Sequence, residues 1–422
     1  MQEKTISNKS YKLHMIKTNA FKTITFKVIF RNEIKKELIT INNILIDYLT
    51  YSCNKYKSKK EMIIKKQDLY GAYIGGNNLR VGNYLDTSLS MSILNPKYTE
   101  QTMFKESLSF FKEIVFNPKI EDKSFDKETI RILKNNLKSL IISEKDKPNI
   151  YVRNRLYEEM TDLPISYKMN GYIEDIDKIN ENTLLDNYKK LINNSNIDIY
   201  VVGNIEYEEI EEAIKDIFNF ETKEKKLKDV NINYKNTRKE INIIKEETKL
   251  VQSKLAIACE IKDITPLERE IVATMYSVIL GNSPEAKLFM NVREKQSLAY
   301  SISSSFKRSD GILTIVAGFS YKSYDKVIDA IKKEMQDMKD GKITDQELNA
   351  CKELYISVLN EVDEYQSSII DYYDSMFYYH AMSIEDTIKE IKKITKEDIQ
   401  KLANKVEIDT IFVLKEADHE NN

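Results

Sequence analysis

Metal chemistry needs suitable ligands, and this chain has only three histidines, His14, His380 and His419. A helix-borne zinc pair sets two imidazoles at i and i+4, so that both face one ion. No two of these histidines are close enough in sequence to do that. The cysteines, Cys53, Cys259 and Cys351, are far apart and odd in number, which argues against a disulfide framework and against a Cys-type zinc site. No Walker-type or G-x-G-x-x-G loop is present, and GNSPEAK lacks the Lys-Ser/Thr ending of a phosphate loop, so nucleotide use has no support. Two aromatic or glycine-rich segments each carry two readings. DYYDSMFYYH (Asp371–His380) bunches Tyr372, Tyr373, Tyr378 and Tyr379 beside His380; it suits a peptide-binding cavity, or a helix packing one face. YIGGN (Tyr73–Asn77) suits a sheet edge that accepts an added strand, or a turn or bulge.

The elements that hold such residues belong to a chain of ordinary globular composition. It has 422 residues, 41% of them apolar, enough for real cores and for more than one domain. Lys and Arg number 65 against 67 Asp and Glu, with both signs mixed along the sequence. No long basic tract stands out, so a nucleic-acid role has no electrostatic footprint. The longest apolar stretches, such as Ile197 to Val202, have core-strand length and fall far short of a membrane span. The opening MQEKTISNKS has no apolar core of a signal peptide, and a cytoplasmic location is the expectation.

Two copies of one plan are legible. The first begins with alternating strand patterns at His14–Ile16 and Phe21–Phe30, then a helix over Glu37–Ser52 and strands within Leu69–Leu94. Helices follow at Tyr98–Val115, Asp126–Ser143 and Thr183–Ile192, before the strand IDIYVVG. The second runs through a strand at Leu250–Ile261, a helix at Leu267–Leu280, strands at Tyr300–Phe306 and Ile312–Phe319, two helices and a last strand at Asp409–Leu414. INENTLLDNYKKLINNSNIDIYVVG pairs with ITKEDIQKLANKVEIDTIFVL, and EIVFNPKIEDKSFDKETIRILKNNL with KEMQDMKDGKITDQELNACKELYI. Both pairs recur in the same order roughly 210–220 positions apart, which points to duplication. The charged, glycine-free stretch Thr222–Ile243 reads as an exposed linker. The expectation is an α+β protein of two homologous domains, residues 1–221 and 244–422 about a linker at 222–243, each an antiparallel-rich sheet with helices packed on one face.

LGNSPEAKLFMNVREKQSLAYSISSSF (Leu280–Phe306) carries a family resemblance. Gly281, Leu288-Phe289, Val292-Arg293-Glu294-Lys295 and Leu298-Ala299-Tyr300 together resemble the second-domain signature of the insulinase/pitrilysin peptidases. The likeness extends to KYKSKKEMIIKKQDLYGA, FNPKIEDKSFDKETI and IDIYVVGN. It implies half of a clam-shell peptidase.

Active members of that family carry H-x-x-E-H on a helix of the first domain, with a later Glu completing the zinc site. The resemblance puts the equivalent helix positions at Asn43, Ile46 and Asp47, and the later Glu at Leu140, with a second helical acid replaced by Leu133. Ile46 cannot take a proton from a zinc-bound water, Leu140 has no lone pair, and two oxygen ligands hold zinc poorly. No metal is expected in this chain. Arg293 and Tyr300 match the family pair that reaches the zinc of the opposite half, the Tyr hydroxyl stabilising an oxyanion and the Arg holding the peptide. The resemblance therefore implies a non-catalytic subunit, without autonomous activity and without a cofactor of its own, that lends substrate-binding and oxyanion-stabilising residues to a zinc-bearing sister subunit acting on peptides. A peptide-binding or scaffold protein of the same fold, without proteolysis, is the alternative.

Overall fold

The computed structural model describes residues 1–100, 102–218 and 227–417. His419 lies outside them. The chain divides into two compact units, one of Met1–Ser143, Lys168–Lys228 and Asp363–Tyr373, the other of Glu144–Tyr167, Asp229–Val362 and Asp374–Asn422. The architecture is mixed α+β, as the sequence patterns lead one to expect, and each unit is built on one main sheet.

The first sheet comprises β1 (Gln2–Ser7), β2 (Lys12–Lys17), β3 (Thr23–Glu33), β4 (Tyr73–Val81) and β5 (Tyr84–Leu94), a separate short hairpin β6 (Ile120–Glu121) and β7 (Ser124–Phe125) standing apart, and β8 (Asn196–Gly203). Its order is β1-β2-β8-β3-β5-β4, antiparallel except where β2 runs parallel to β8. The second comprises β9 (Asn242–Thr248), β10 (Ser253–Ile261), β11 (Ser301–Lys307), β12 (Ile312–Phe319) and β13 (Val406–Glu416), in the order β11-β12-β10-β13-β9 with β13 and β9 parallel. Read from β4 and from β11, the two orders coincide over five strands, down to the single parallel pair, with β1 an extra edge strand of the first sheet, so the duplicated sequence plan is also a duplicated topology.

Period-2 alternation decides which way each sheet faces. In β3, Ile24, Phe26, Val28 and Phe30 enter the main core of the first unit, beneath helices that include Lys36–Tyr51, Thr102–Phe116 and Glu181–Asn194. In β10, Leu255, Ile257 and Cys259 do the same beneath Ala273–Gly281, Tyr324–Lys339 and Lys396–Ala403. The opposite faces are not bare, which one helical layer alone would have left them. In the first unit, Ile369 and Ile370 pack on Ile16, Ile29, Tyr200 and Val202. Gln366 clamps that helix down: its side-chain oxygen accepts from the Thr23 and Thr25 hydroxyls, each at 2.8 Å, and its amide donates to the Thr23 and Val202 carbonyls. In the second unit, Val152, Leu156, Tyr157 and Met160 of the Pro148–Met160 helix pack on Ala256, Ala258, Ile312 and Phe412. The small Ala256 and Ala258 let this helix approach closely. Each buried Ile or Leu contributes about 1.5–3 kcal/mol before chain entropy is counted.

These two helices correct the expected division of the chain. Residues 144–167 lie before the linker in sequence yet belong to the second unit, and 363–373 lie after it yet belong to the first. The linker, exposed over much of 233–241, is nonetheless fastened at several points. Val230 and Ile232 are buried, the Ile232 amide bonds the Ser309 carbonyl, and the Tyr234 hydroxyl donates to Asp409 at 2.7 Å. Arg238 donates to the same carboxylate, to Thr410 and to the Met160 carbonyl. One charge of the stretch, Arg238, helps to fasten it, while Lys235, Lys239 and Glu240 stay exposed.

Candidate functional site

In the first unit the residues at the expected zinc positions divide three ways. Ile46 is 4% exposed and joins the core with Ile44, Leu45 and Leu49. It lies over Gly76 of β4, where an added Cβ would stand 2.7 Å from Ile46 Cγ2; the glycine gives the isoleucine its room. Asn43 is tied into a chain of neutral hydrogen bonds. Asn187 Nδ2 donates to Asn42 Oδ1 at 2.7 Å and Asn42 Nδ2 to Thr87 Oγ1 at 3.2 Å. The Thr87 hydroxyl donates to Asn78 Oδ1 at 2.6 Å, Asn78 Nδ2 to Asn43 Oδ1 at 2.9 Å, and Asn43 Nδ2 to the Met169 carbonyl at 2.9 Å. Every amide is used in line, and the Asn43 oxygen is already an acceptor. Sequence reasoning missed Asn42, Thr87, Asn78 and Asn187, because nothing in their spacing places them side by side.

Asp47 and Leu140 do not join this arrangement. Asp47 is exposed, although the protein around its carboxyl pushes the pKa above the usual carboxylate value by partial desolvation. Leu140 is 43% exposed, whereas Leu133 and Leu137 on the same Lys127–Ile142 helix are buried. Of the positions that the resemblance aligns with zinc-site residues, Ile46 and Leu133 are core and Leu140 is not. These residues do not fit zinc: one amide oxygen is engaged, one carboxylate stands alone, and no side chain at position 46 or 140 has a lone pair. Among the described residues no three His, Cys, Asp or Glu side chains are grouped so as to hold a metal ion. His14, buried in the sheet, has both ring nitrogens engaged, by Thr5 at 2.7 Å and Asp198 at 3.0 Å, and stacks on Tyr200.

Arg293 and Tyr300 belong to the second unit and are displayed, not buried. The Leu288–Lys295 segment winds as a wide π-type helix with Leu288 and Val292 turned into the core. One position on, Phe289 and Arg293 form a surface pair, with the guanidinium carbon 4.6 Å from the ring centroid. Among the described residues it makes one ion pair, a long one of 3.5 Å to Glu294, which leaves most of its donors available there. Ser297 then takes a left-handed φ of 52°, its amide bonding the Arg293 carbonyl and that of Leu298 the Val292 carbonyl. This reversal feeds Ala299 into the core and sends the Tyr300 amide to the Gly318 carbonyl at 2.8 Å. Tyr300 is 64% exposed. Among the described residues its hydroxyl has no hydrogen-bond partner. No direct contact joins Arg293 to Tyr300; what they share is one turn, which sets both at the start of β11.

The two remaining sequence candidates resolve into structure. Tyr73–Asn77 lies in β4, the edge strand of the first sheet, with Gly76 and Asn77 exposed and the Tyr73 ring laid across Gly75. Asp371–Tyr379 continues the Gln366–Tyr379 helix, where Tyr372 and Tyr373 meet edge to face and Tyr373 packs beside Ile369 and Ile370. The side chain of Tyr379 lies outside the described residues.

The chain is similar to several known proteins. Residues 178–355 match the family model described as the peptidase M16 inactive domain. The chain is 27% identical over 407 residues, 95% of each chain, to the "Probable inactive metalloprotease YmfF" of Bacillus subtilis strain 168. It is 24% identical over 71% of its length to an uncharacterized zinc protease of Rickettsia bellii, covering 72% of that protein. Among solved structures, a conserved protein from Enterococcus faecalis V583 superposes over the whole of both chains with a TM-score of 0.92 at 26% identity. A peptidase M16 inactive domain from Pseudomonas fluorescens shares the fold over the whole of both chains, with a TM-score of 0.80 at 16% identity. No helix among the described residues is long and apolar enough to cross a membrane. Residues 178–355 thus resemble the peptidase M16 inactive domain, and over 95% of its length the chain is similar to a probable inactive metalloprotease.

Proposed function

We propose that this chain is the non-catalytic subunit of a cytoplasmic two-subunit peptidase. It pairs with a zinc-bearing sister of the same family and lends it Arg293 and Tyr300. The observation that carries this reading is the contrast between the two units. The first has its former metal positions taken up by Ile46 and by the amide chain through Asn43. The second keeps a half-buried Arg with one long ion pair and an exposed Tyr. A structural Tyr would be expected to bury its ring or bond its hydroxyl, and Tyr300 does neither. In a composite site the Tyr300 hydroxyl would donate to the oxyanion formed when zinc-bound water attacks a peptide carbonyl. Arg293 would donate to substrate carbonyls and hold the chain in register. The base and the metal would come from the sister.

The test is to co-express the chain with a zinc-bearing sister, isolate the complex and assay cleavage of an unfolded peptide. Zinc-dependent cleavage is expected from the pair and not from this chain alone. Tyr300→Phe and Arg293→Ala in the pair should each lower kcat about 100-fold or more, the range for losing one oxyanion donor. Full activity of either mutant pair would sink the composite site. The open edge of β4, with Gly76 and Asn77 exposed, favours a second reading in which the chain holds a peptide as an added strand without any cleavage. That reading expects peptide binding under every pairing and turnover under none.

A further inference from the structure

At the corner of the second sheet beside Tyr300, a polar group stands where the fold gives it nothing to bond. Leu414, Lys254, Gly318 and Ser301 lie side by side across β13, β10, β12 and β11. Gly318 leaves a gap in this row: an added Cβ would stand 2.8 Å from Lys254 Nζ, 2.9 Å from Ser301 Oγ and 3.0 Å from Gln252 Oε1. Three polar groups thus converge on one point, and the lysine reaches across the glycine toward the edge strand that Tyr300 introduces. Lys254 is only 6% exposed, yet among the described residues no hydrogen bond or ion pair holds its ammonium. Gln252 Oε1 is buried and also unbonded. An ammonium held largely out of water without a partner is costly, and partial burial pushes the Lys254 pKa below the ordinary lysine value.

Lys254 and Gln252 line a cavity of about 840 Å³, whose other walls are residues 145–150 and 249–251. Those walls add the exposed cations Lys145, Lys147 and Lys249 against one acid, Asp146. The first residues of the Pro148–Met160 helix are part of the lining, and Lys147 at its N-cap supplies no side-chain cap. The partial positive charge of the helix start therefore borders the same space. Val251 is 97% exposed and Ile150 38% exposed, so the rim carries apolar side chains beside its lysines. A cavity that is cationic and also offers apolar side chains at its rim suits an anion carried on an organic chain better than an inorganic ion.

We propose that this cavity is a carboxylate subsite for a bound peptide, with Lys254 as its buried counter-ion and the helix start and outer lysines as further anchors. It rests on the preceding reading only in taking the ligand to be a peptide. The carboxylate has two possible sources, a C-terminus or an acidic side chain. The test uses the full-length chain and calorimetry with three N-acetylated octapeptides of otherwise neutral sequence: one with a free C-terminus, one amidated, and one amidated with a single internal Glu.

At least one carboxylate-bearing peptide is expected to bind about tenfold or more tightly than the neutral one, the scale of one charge-assisted hydrogen bond. Lys254→Met should abolish that difference. Gly318→Ala, whose methyl would take the ammonium's place, should do the same through a smaller change, which keeps the test decisive if K254M folds poorly. Preference for the free terminus or for the internal Glu names the source, and either supports the subsite. No preference in the wild type, or the same preference in both variants, overturns it. So does inorganic phosphate that binds through Lys254 as tightly as the charged peptides. Cleavage by the paired enzyme separates the two ideas. Lys254-dependent binding without turnover under any pairing removes the subunit reading and leaves the subsite. Tyr300-dependent turnover with Lys254-independent binding removes the subsite alone.

Discussion

Replacing Ile46 by Glu would restore a carboxyl at the position where an active family member needs its base, and the structure says what the chain would lose. Ile46 is 4% exposed, laid over Gly76 and beside Leu89 in the main core of the first unit. Burial of an isoleucine side chain is worth about 1.5–3 kcal/mol, and that is forfeited. A glutamate there would stay protonated at pH 7, which against a free value near 4.3 costs about 3.7 kcal/mol. The two together predict destabilisation of about 5–7 kcal/mol at pH 7. The sign of the pH dependence follows: the folded-state pKa is raised, so the ionisation part of the penalty is present above the unfolded value. It fades as pH falls toward about 4.3, leaving only the lost apolar burial. The chain has no tryptophan, so urea unfolding is best followed by far-UV circular dichroism at pH 7 and pH 4.5, with the wild type at each pH as reference. A loss below about 1 kcal/mol that does not change with pH would mean Ile46 is not core. Uptake of stoichiometric zinc by the variant would refute the argument that the former site no longer fits a metal.

Three further outcomes follow from residues already placed. Tyr300→Phe in the isolated chain should change stability by no more than about 0.5 kcal/mol in thermal unfolding, since an exposed, unbonded hydroxyl contributes little; a loss above 1.5 kcal/mol would show a structural role. Asp409→Ala removes a fully buried carboxylate bonded by Tyr234, Arg238 and Thr410, and should cost about 3 kcal/mol or more by the same measurement. All three cysteines are buried, and desolvation pushes Cys259 and Cys351 up to about 12. A thiol reagent at pH 8 should therefore label the native chain only at the rate of unfolding; rapid labelling of even one cysteine would contradict their placement.

Local pattern carried the elements and failed at what they pack against. The alternation in β3 and β10, the all-buried run of β8 and the stop at Gly281 are encoded within a few residues of themselves. The repeat was legible because two pairs of segments kept their order. By contrast, β1 and β9 were not anticipated: QEKTIS and NIIKEET are largely polar, and they pair only because β2 and β13 offer them an edge. Helix Pro148–Met160 reads much like any half-buried helix, and nothing local says that Ala256 and Ala258, far along the chain, are its floor. The site shows the same split. Arg293 and Tyr300 stood out through an ordered motif, and Ile46 announced its burial by its type. Leu140 suggested burial by its type and is exposed, while the amide chain through Asn43 depends on four elements meeting. Lys254 did leave a signal, a lysine inside the apolar run SKLAIACEI, but only the register across Gly318 turns that oddity into a cavity lining.

The exchanged helices set a schedule for synthesis. The first sheet has all its strands once Gly203 has left the ribosome, yet the helix that covers Ile16, Ile29, Tyr200 and Val202 is not made until Ile369 and Ile370 emerge. Throughout that interval a nascent chain carries an apolar sheet face open to water, a surface prone to off-pathway association. The Pro148–Met160 helix meanwhile waits, its Val152, Leu156 and Met160 uncovered, for strands not yet translated. A chain stopped anywhere between the two would be a strong client for chaperones, since a second copy of the fragment also lacks the helix that covers this face.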